Sequence, residues 1–154
     1  MIMVSIDGIG PVGEWVRLGL KMDIWEKNAL RWKHLLKDHK QYTYGDLTSG
    51  VCSNFVMTNY NIFNVDDTEK YLTSLDIKMR KTNCFSPKYL SPEYLPDEIK
   101  KELPTDDFIQ NILNTSDYNV DYCRQFIIYT QYLETFQKAP EEALFVYRKL
   151  KEYV

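Results

Sequence analysis

The three cysteines of this chain, Cys52, Cys84 and Cys123, stand far apart, so there is no CxxC pair and no local spacing of the kind that holds a metal. An odd cysteine count with no signal peptide argues for a reducing, cytoplasmic setting rather than a disulfide scaffold. Long apolar runs are missing too. Nothing approaches the roughly 20 residues needed to cross a bilayer, so no membrane partner is expected. Basic excess is also lacking: 19 Lys and Arg face 22 Asp and Glu, a formal net charge of −3. A surface that neutralises phosphates normally carries a basic stripe, so nucleic acid is not an expected partner. The 12 tyrosines and 7 phenylalanines are therefore taken as packing residues rather than base-stacking ones. There is no internal repeat and no low-complexity segment.

What remains is a chain of 154 residues with 44% hydrophobic content, enough for the core of one domain. The opening MIMVSID suits a short strand buried on both faces, as in parallel sheets. GIGPVGEWVRLG follows, read as a long glycine-rich loop with room for close backbone approach. Asp23 and Glu26 form a D-x-x-E capping pattern, and Trp25, Ala29, Trp32 and Leu36 recur at helical spacing, giving a helix to about Lys40 with both tryptophans in the core. The basic stretch Lys33 to Lys40 fits the solvated face of that helix, and His34 and His39 are solvated with it. A turn-rich connector, QYTYGDLTSG, leads to a second strand. Asp66 with Glu69 caps a short helix ending near Leu75. Parallel strands are expected at Met3 to Ile6, about Asn54 to Thr58, and about Asp76 to Lys81. The three prolines between Thr82 and Pro96 mark an ordered loop. Beyond it the chain turns helical, with a start at Pro96–Asp97–Glu98, a segment Asp106 to Leu113, a face made by Tyr122, Phe126, Tyr129 and Leu133, and a last helix opened by Pro140. The whole is read as a single domain, 1–154, with β/α units over 1–95 and a helical segment over 96–154.

SIDGIG is the most informative stretch. Ser5 and Asp7 are two apart, so in a strand they project to the same side at the C-terminal end, where α/β barrels bind ligands. Arg17 could return over the glycine loop and present its planar guanidinium to a carboxylate. Plainer roles stand beside these: Ser5 and Asp7 could satisfy backbone groups at the strand end, and Arg17 could be a surface ion-pair partner. Cys84 beside Phe85 is read as a buried thiol rather than a nucleophile.

The ordered series SIDG, WVRLG, WEKN at Trp25 to Asn28, NYNIFNVDD, NCFSPKYLSPEYLPDEIKKEL and, more weakly, LETFQKAPEEAL resembles the later half of radical S-adenosylmethionine (SAM) enzymes, in particular the twitch-domain-containing ones. The resemblance implies an incomplete (β/α) barrel, of which this chain supplies about three parallel strands followed by a helical segment. It implies SAM bound next to a [4Fe-4S] cluster and cleaved to a 5′-deoxyadenosyl radical. Ser5 and Arg17 would contact the SAM carboxylate, Thr58 and Asn61 would lie where the ribose or adenine is held, and Asp7 would orient the loop or approach the substrate. The family's CxxxCxxC motif is absent, so this chain would not ligate the cluster and would be inactive alone. Its expected partners are a complementing polypeptide carrying the missing strands, or a second copy in a homo-oligomer. The rival expectation is a non-catalytic interaction module that pairs through an open barrel edge.

Overall fold

A computed structural model describes residues 2–37, 50–114 and 117–154. Three strands, β1 (Ile2–Ser5), β2 (Val51–Met57) and β3 (Lys78–Asn83), form one parallel sheet in the order β1-β2-β3. The register sets Ser5 opposite Asn54, and Asn54 opposite Arg80. The expected parallel α/β sheet is therefore present. The boundaries differ by a few residues: β2 ends before Thr58, and β3 starts at Lys78 because Asp76 takes a positive φ of 53° in the turn that precedes it.

The glycine-rich loop is the main correction. Gly10–Val16 is a short helix, α1, with Pro11 in its first turn, where a missing N–H costs nothing. Gly8 (φ +141°) makes the bend before it. Gly13 permits α1 to press on that bend, since a Cβ there would come within 2.1 Å of the Gly8 carbonyl oxygen.

Helix α2 spans Met22–Leu36. Its expected D-x-x-E cap does not form. The helix begins two residues earlier, with Lys21 at the N-cap position, and Glu14 of α1 accepts from the Met22 N–H at 3.2 Å; Glu26 instead accepts from the Tyr71 hydroxyl at 2.7 Å. Tyr71 lies on α3 (Val65–Ser74), which also lacks a side-chain cap, and Glu69 pairs with Lys81 rather than capping it. Lys33 is not merely solvated either: its Nζ donates to the Leu75 carbonyl and to Asp76, holding the C-terminal end of α3. His34 is exposed as expected. Lys37 is exposed too, whereas Asp38 to Lys40, His39 among them, and nearly all of the connector lie outside the described residues. Trp25 is partly buried, but Trp32 is 45% exposed and not core. The physical reason is helical spacing: Trp32 lies about 60° around the helix from buried Ala29, on the side away from Glu26 and Lys33, which face α3.

Residues 82–96 contain two 3₁₀ turns, Lys88–Leu90 and Pro92–Tyr94. The helical part follows with α4 (Asp97–Lys100), α5 (Asp107–Leu113, capped by Asp106), α6 (Val120–Glu134) and α7 (Phe145–Tyr153). The larger apolar cluster joins the end of β2 (Phe55, Met57) to Phe126 of α6 and Val146 and Leu150 of α7. A smaller one unites Ile6, Ala29, Leu72 and Ile77 beneath α2 and α3.

Candidate functional site

The C-terminal ends of β1 and β2 are tied by polar side chains, and four of the five sequence-selected residues meet there. Asp7 follows β1. Its Oδ1 accepts from the Val56 N–H at 3.1 Å, and its Oδ2 accepts from Arg17 Nη2 at 2.7 Å and Nε at 3.1 Å. Asn61, fully buried, donates through Nδ2 to the carbonyls of Asp7 and Val56, both at 2.9 Å, and accepts from the Thr58 N–H through Oδ1 at 2.7 Å. Thr58 Oγ1 accepts from the Tyr60 N–H at 3.3 Å. The plain alternatives for Asp7 and Arg17 are thus what the contacts realise: a carboxylate on a strand-end amide, and an ion pair. Ser5 does not join this cluster through its side chain among the described residues; its carbonyl accepts from Trp25 Nε1 at 3.1 Å.

Exposure separates these residues. Arg17 is 44% exposed at the side chain and Asp7 13%, while Thr58 and Asn61 are buried. A guanidinium has five N–H donors, and Asp7 Oδ2 engages two of its nitrogens. Arg17 is therefore positioned by Asp7 at the open end of the sheet and retains donors for an anion.

Asn64 is a residue the sequence reading missed. Its Oδ1 accepts from the Ile9 N–H at 2.7 Å and from the Thr68 hydroxyl at 3.0 Å, fixing the turn between β1 and α1. The N-x-x-N spacing of Asn61 and Asn64 was the available signal, because side-chain amides commonly satisfy loop backbone. Asn59 is buried with its Oδ1 unpartnered among the described residues, although its Nδ2 donates to the Tyr89 carbonyl, which fixes the amide orientation.

Elsewhere, Lys81 bridges Glu69 at 2.7 Å and Asp106 at 3.1 Å. Burial opposes the Lys81 charge, yet the two carboxylates prevail and raise its pKa. Burial likewise opposes the Asp106 charge, but Lys81 and the Ile109 and Phe108 amides hold its carboxyl below the usual range. The three cysteines are free and buried. Burial pushes all three thiols up, Cys123 to about 11. Among the described residues, no group of three or more His, Cys, Asp and Glu could hold a metal ion, and no helix is long and apolar enough to cross a membrane. No family model, no curated protein and no solved structure matches the chain.

Proposed function

We propose that this chain supplies one wall of a SAM-binding site, as the later β/α units of a radical SAM barrel whose remaining strands come from another polypeptide segment. The observation that carries the reading is Arg17, held by Asp7 at the C-terminal end of a parallel sheet with donors to spare. That end is where α/β sheets bind ligands, and a guanidinium fork matches a carboxylate. Sequential strand order, β1-β2-β3, is also what an arc of a barrel has.

The residues fit the two implied groups unequally. Arg17 suits the SAM carboxylate. Asn61 already spends its amide on the strand ends and on the Thr58 N–H, so its share is to fix the geometry that places Arg17, while Thr58 keeps its hydroxyl proton. The cysteines do not fit a [4Fe-4S] cluster, whose ligands are thiolates, because each is isolated, buried and held protonated. When bound in a complete enzyme, SAM would supply the radical; this chain's residues bind and orient it.

Chemical-shift titration of the labelled chain with SAM and with 5′-methylthioadenosine, which lacks the carboxylate, tests this. SAM is expected to move the Asp7 and Arg17 amides saturably. Arg17→Ala should cost about 1.5–3 kcal/mol of SAM affinity, the range for hydrogen bonds to charged groups, and leave methylthioadenosine unchanged. Arg17→Lys should recover part. Absence of a saturable response, or equal weakening of both ligands, would overturn the assignment.

A second reading, an interaction module, is favoured by one flank of the fold. The amides of Ile2 and Ile6 donate toward β2, so those of Met3 and Ser5 face outward at the sheet edge, where Met3 is 43% exposed. Glu26 and Lys33 turn α2 toward α3, and helical spacing sets Ile24 and Leu35 on the opposite flank, where they are 55% and 51% exposed. An edge strand beside an apolar helix flank suits a further parallel β/α unit. Sedimentation should show self-association, or capture of the complementing polypeptide, that Met3→Pro abolishes; a strict monomer that ignores such a polypeptide would exclude this reading.

A further inference from the structure

Beside the strand-end cluster, and sharing Thr58 with it, lies a pocket to which neither reading assigns an occupant. We infer that it is a binding site for a small, neutral, planar ring carrying one hydrogen-bond acceptor. Its volume is about 300 Å³, at the lower end of small-molecule sites, which restricts the occupant to one ring or a fused pair. Val16 and Leu18, the neighbours of Arg17 in sequence, line it together with Thr58, which is buried just past β2. The site is thus at the ligand-binding end of the sheet.

The walls are aromatic and already fixed. Trp15 meets Tyr60 edge to face with ring centroids 4.9 Å apart, and Trp15 Nε1 is committed to the Gln137 carbonyl at 3.2 Å. The Tyr60 hydroxyl is committed to Thr130 Oγ1 at 2.9 Å, so Tyr60 offers its ring rather than its polar end. Tyr129 from α6 completes the lining and is itself braced by Tyr89 at 5.3 Å. Rings held in this way lose little entropy on binding and favour stacked or edge-on aromatic partners.

Charge decides the ligand class. No lining residue is ionisable at neutral pH, so a charged group brought into the pocket would lose hydration without gaining a counter-ion. Besides the committed ends of Trp15 and Tyr60, the polar lining groups are Thr58, Tyr129 and Gln137, of which Thr58 is buried. Thr58 Oγ1 accepts from the Tyr60 amide, leaving its hydroxyl proton to donate to a carbonyl or ring nitrogen. Leu18 and Phe136, 79% and 69% exposed, form an apolar rim. This inference goes beyond the SAM assignment and does not rest on it.

Titration calorimetry of the chain with quinoline, naphthalene-2-carboxylate and naphthalene tests the site. Quinoline is expected to bind saturably, and the carboxylate at least about tenfold more weakly, because its charge has no partner. Leu133→Trp, which fills the pocket from α6, should weaken quinoline by at least about tenfold; Leu90→Phe serves the same end if that variant does not fold. Thr58→Val should weaken quinoline roughly two- to tenfold, the worth of one neutral hydrogen bond, and leave naphthalene unchanged. No saturable quinoline binding, binding that persists in the folded pocket-filling variant, or a carboxylate bound as tightly as quinoline would each overturn the inference.

Discussion

Arg17 donates through two nitrogens to one oxygen of Asp7, while the other oxygen of the same carboxylate takes the Val56 amide of the neighbouring strand. Asp7 is therefore shared between the sheet and the guanidinium. The two partners differ in what they lose if the pair is broken.

Arg17→Ala should lower stability by no more than about 1 kcal/mol, since a half-exposed ion pair contributes little. Asp7→Ala should cost about 1–3 kcal/mol, because the strand-end amide of Val56 loses its acceptor. Urea denaturation at neutral pH measures both. Equal losses would make Arg17 a structural residue and remove the reason to assign it a ligand.

Gly13→Ala is expected to destabilise by about 3 kcal/mol or more, because the added Cβ meets backbone at the Gly8 carbonyl and neither segment can yield without moving β1 or α1. Gly10→Ala meets no atom within 4 Å and carries only the strain of φ +57°, about 1–2 kcal/mol. A smaller loss at Gly13 than at Gly10 in thermal unfolding would contradict this packing.

Ser53 is fully buried in β2, and its Oγ has no partner among the described residues. Ser53→Ala should therefore be neutral or raise stability by up to about 1 kcal/mol, as the desolvated hydroxyl is removed. A clear loss of stability would mean that the hydroxyl has a partner.

Acid should weaken the Lys81 bridge. The native Asp106 carboxyl is held below its usual range, so the unfolded chain takes up that proton first as pH falls. Its contribution is complete above about pH 4 and declines as pH drops through the lower native value. The stability gap between the parent chain and Asp106→Asn should thus narrow between neutral and strongly acidic pH. A gap that widens on acidification would reverse the sign.

The buried thiols should react slowly with a disulfide reagent in the native state and fast in urea, since the protonated form is not the nucleophile. Anaerobic reconstitution with iron and sulfide should leave the chain without cluster absorption. A brown product that is lost on mutating the cysteines would show ligation that this arrangement of thiols does not provide.

Local chemistry set much of this protein in advance. Short apolar stretches at Met3 to Ile6 and in β2 sufficed for parallel strands, and the Pro96 and Asp106 starts placed α4 and α5, because strand burial and helix caps act over a few residues. Ser5, Asp7 and Arg17 were nameable for the same reason: strand parity and the glycine bend are local; Thr58 and Asn61 were named only through the resemblance to radical SAM enzymes. Their partners were not. Helix α1 was hidden by its glycines, which mark a loop by propensity but here admit the backbone of Gly8. Glu14 capping α2, Lys33 closing α3 and Asn61 joining two strand ends all depend on residues brought together across the fold. The pocket among Trp15, Tyr60 and Tyr129 is likewise made by segments more than a hundred residues apart in sequence. The sequence by itself determined which side chains could bind or cap; only the tertiary structure decided which did, because a hydrogen bond forms with the donor that packing places within about 3 Å, whatever the sequence separation.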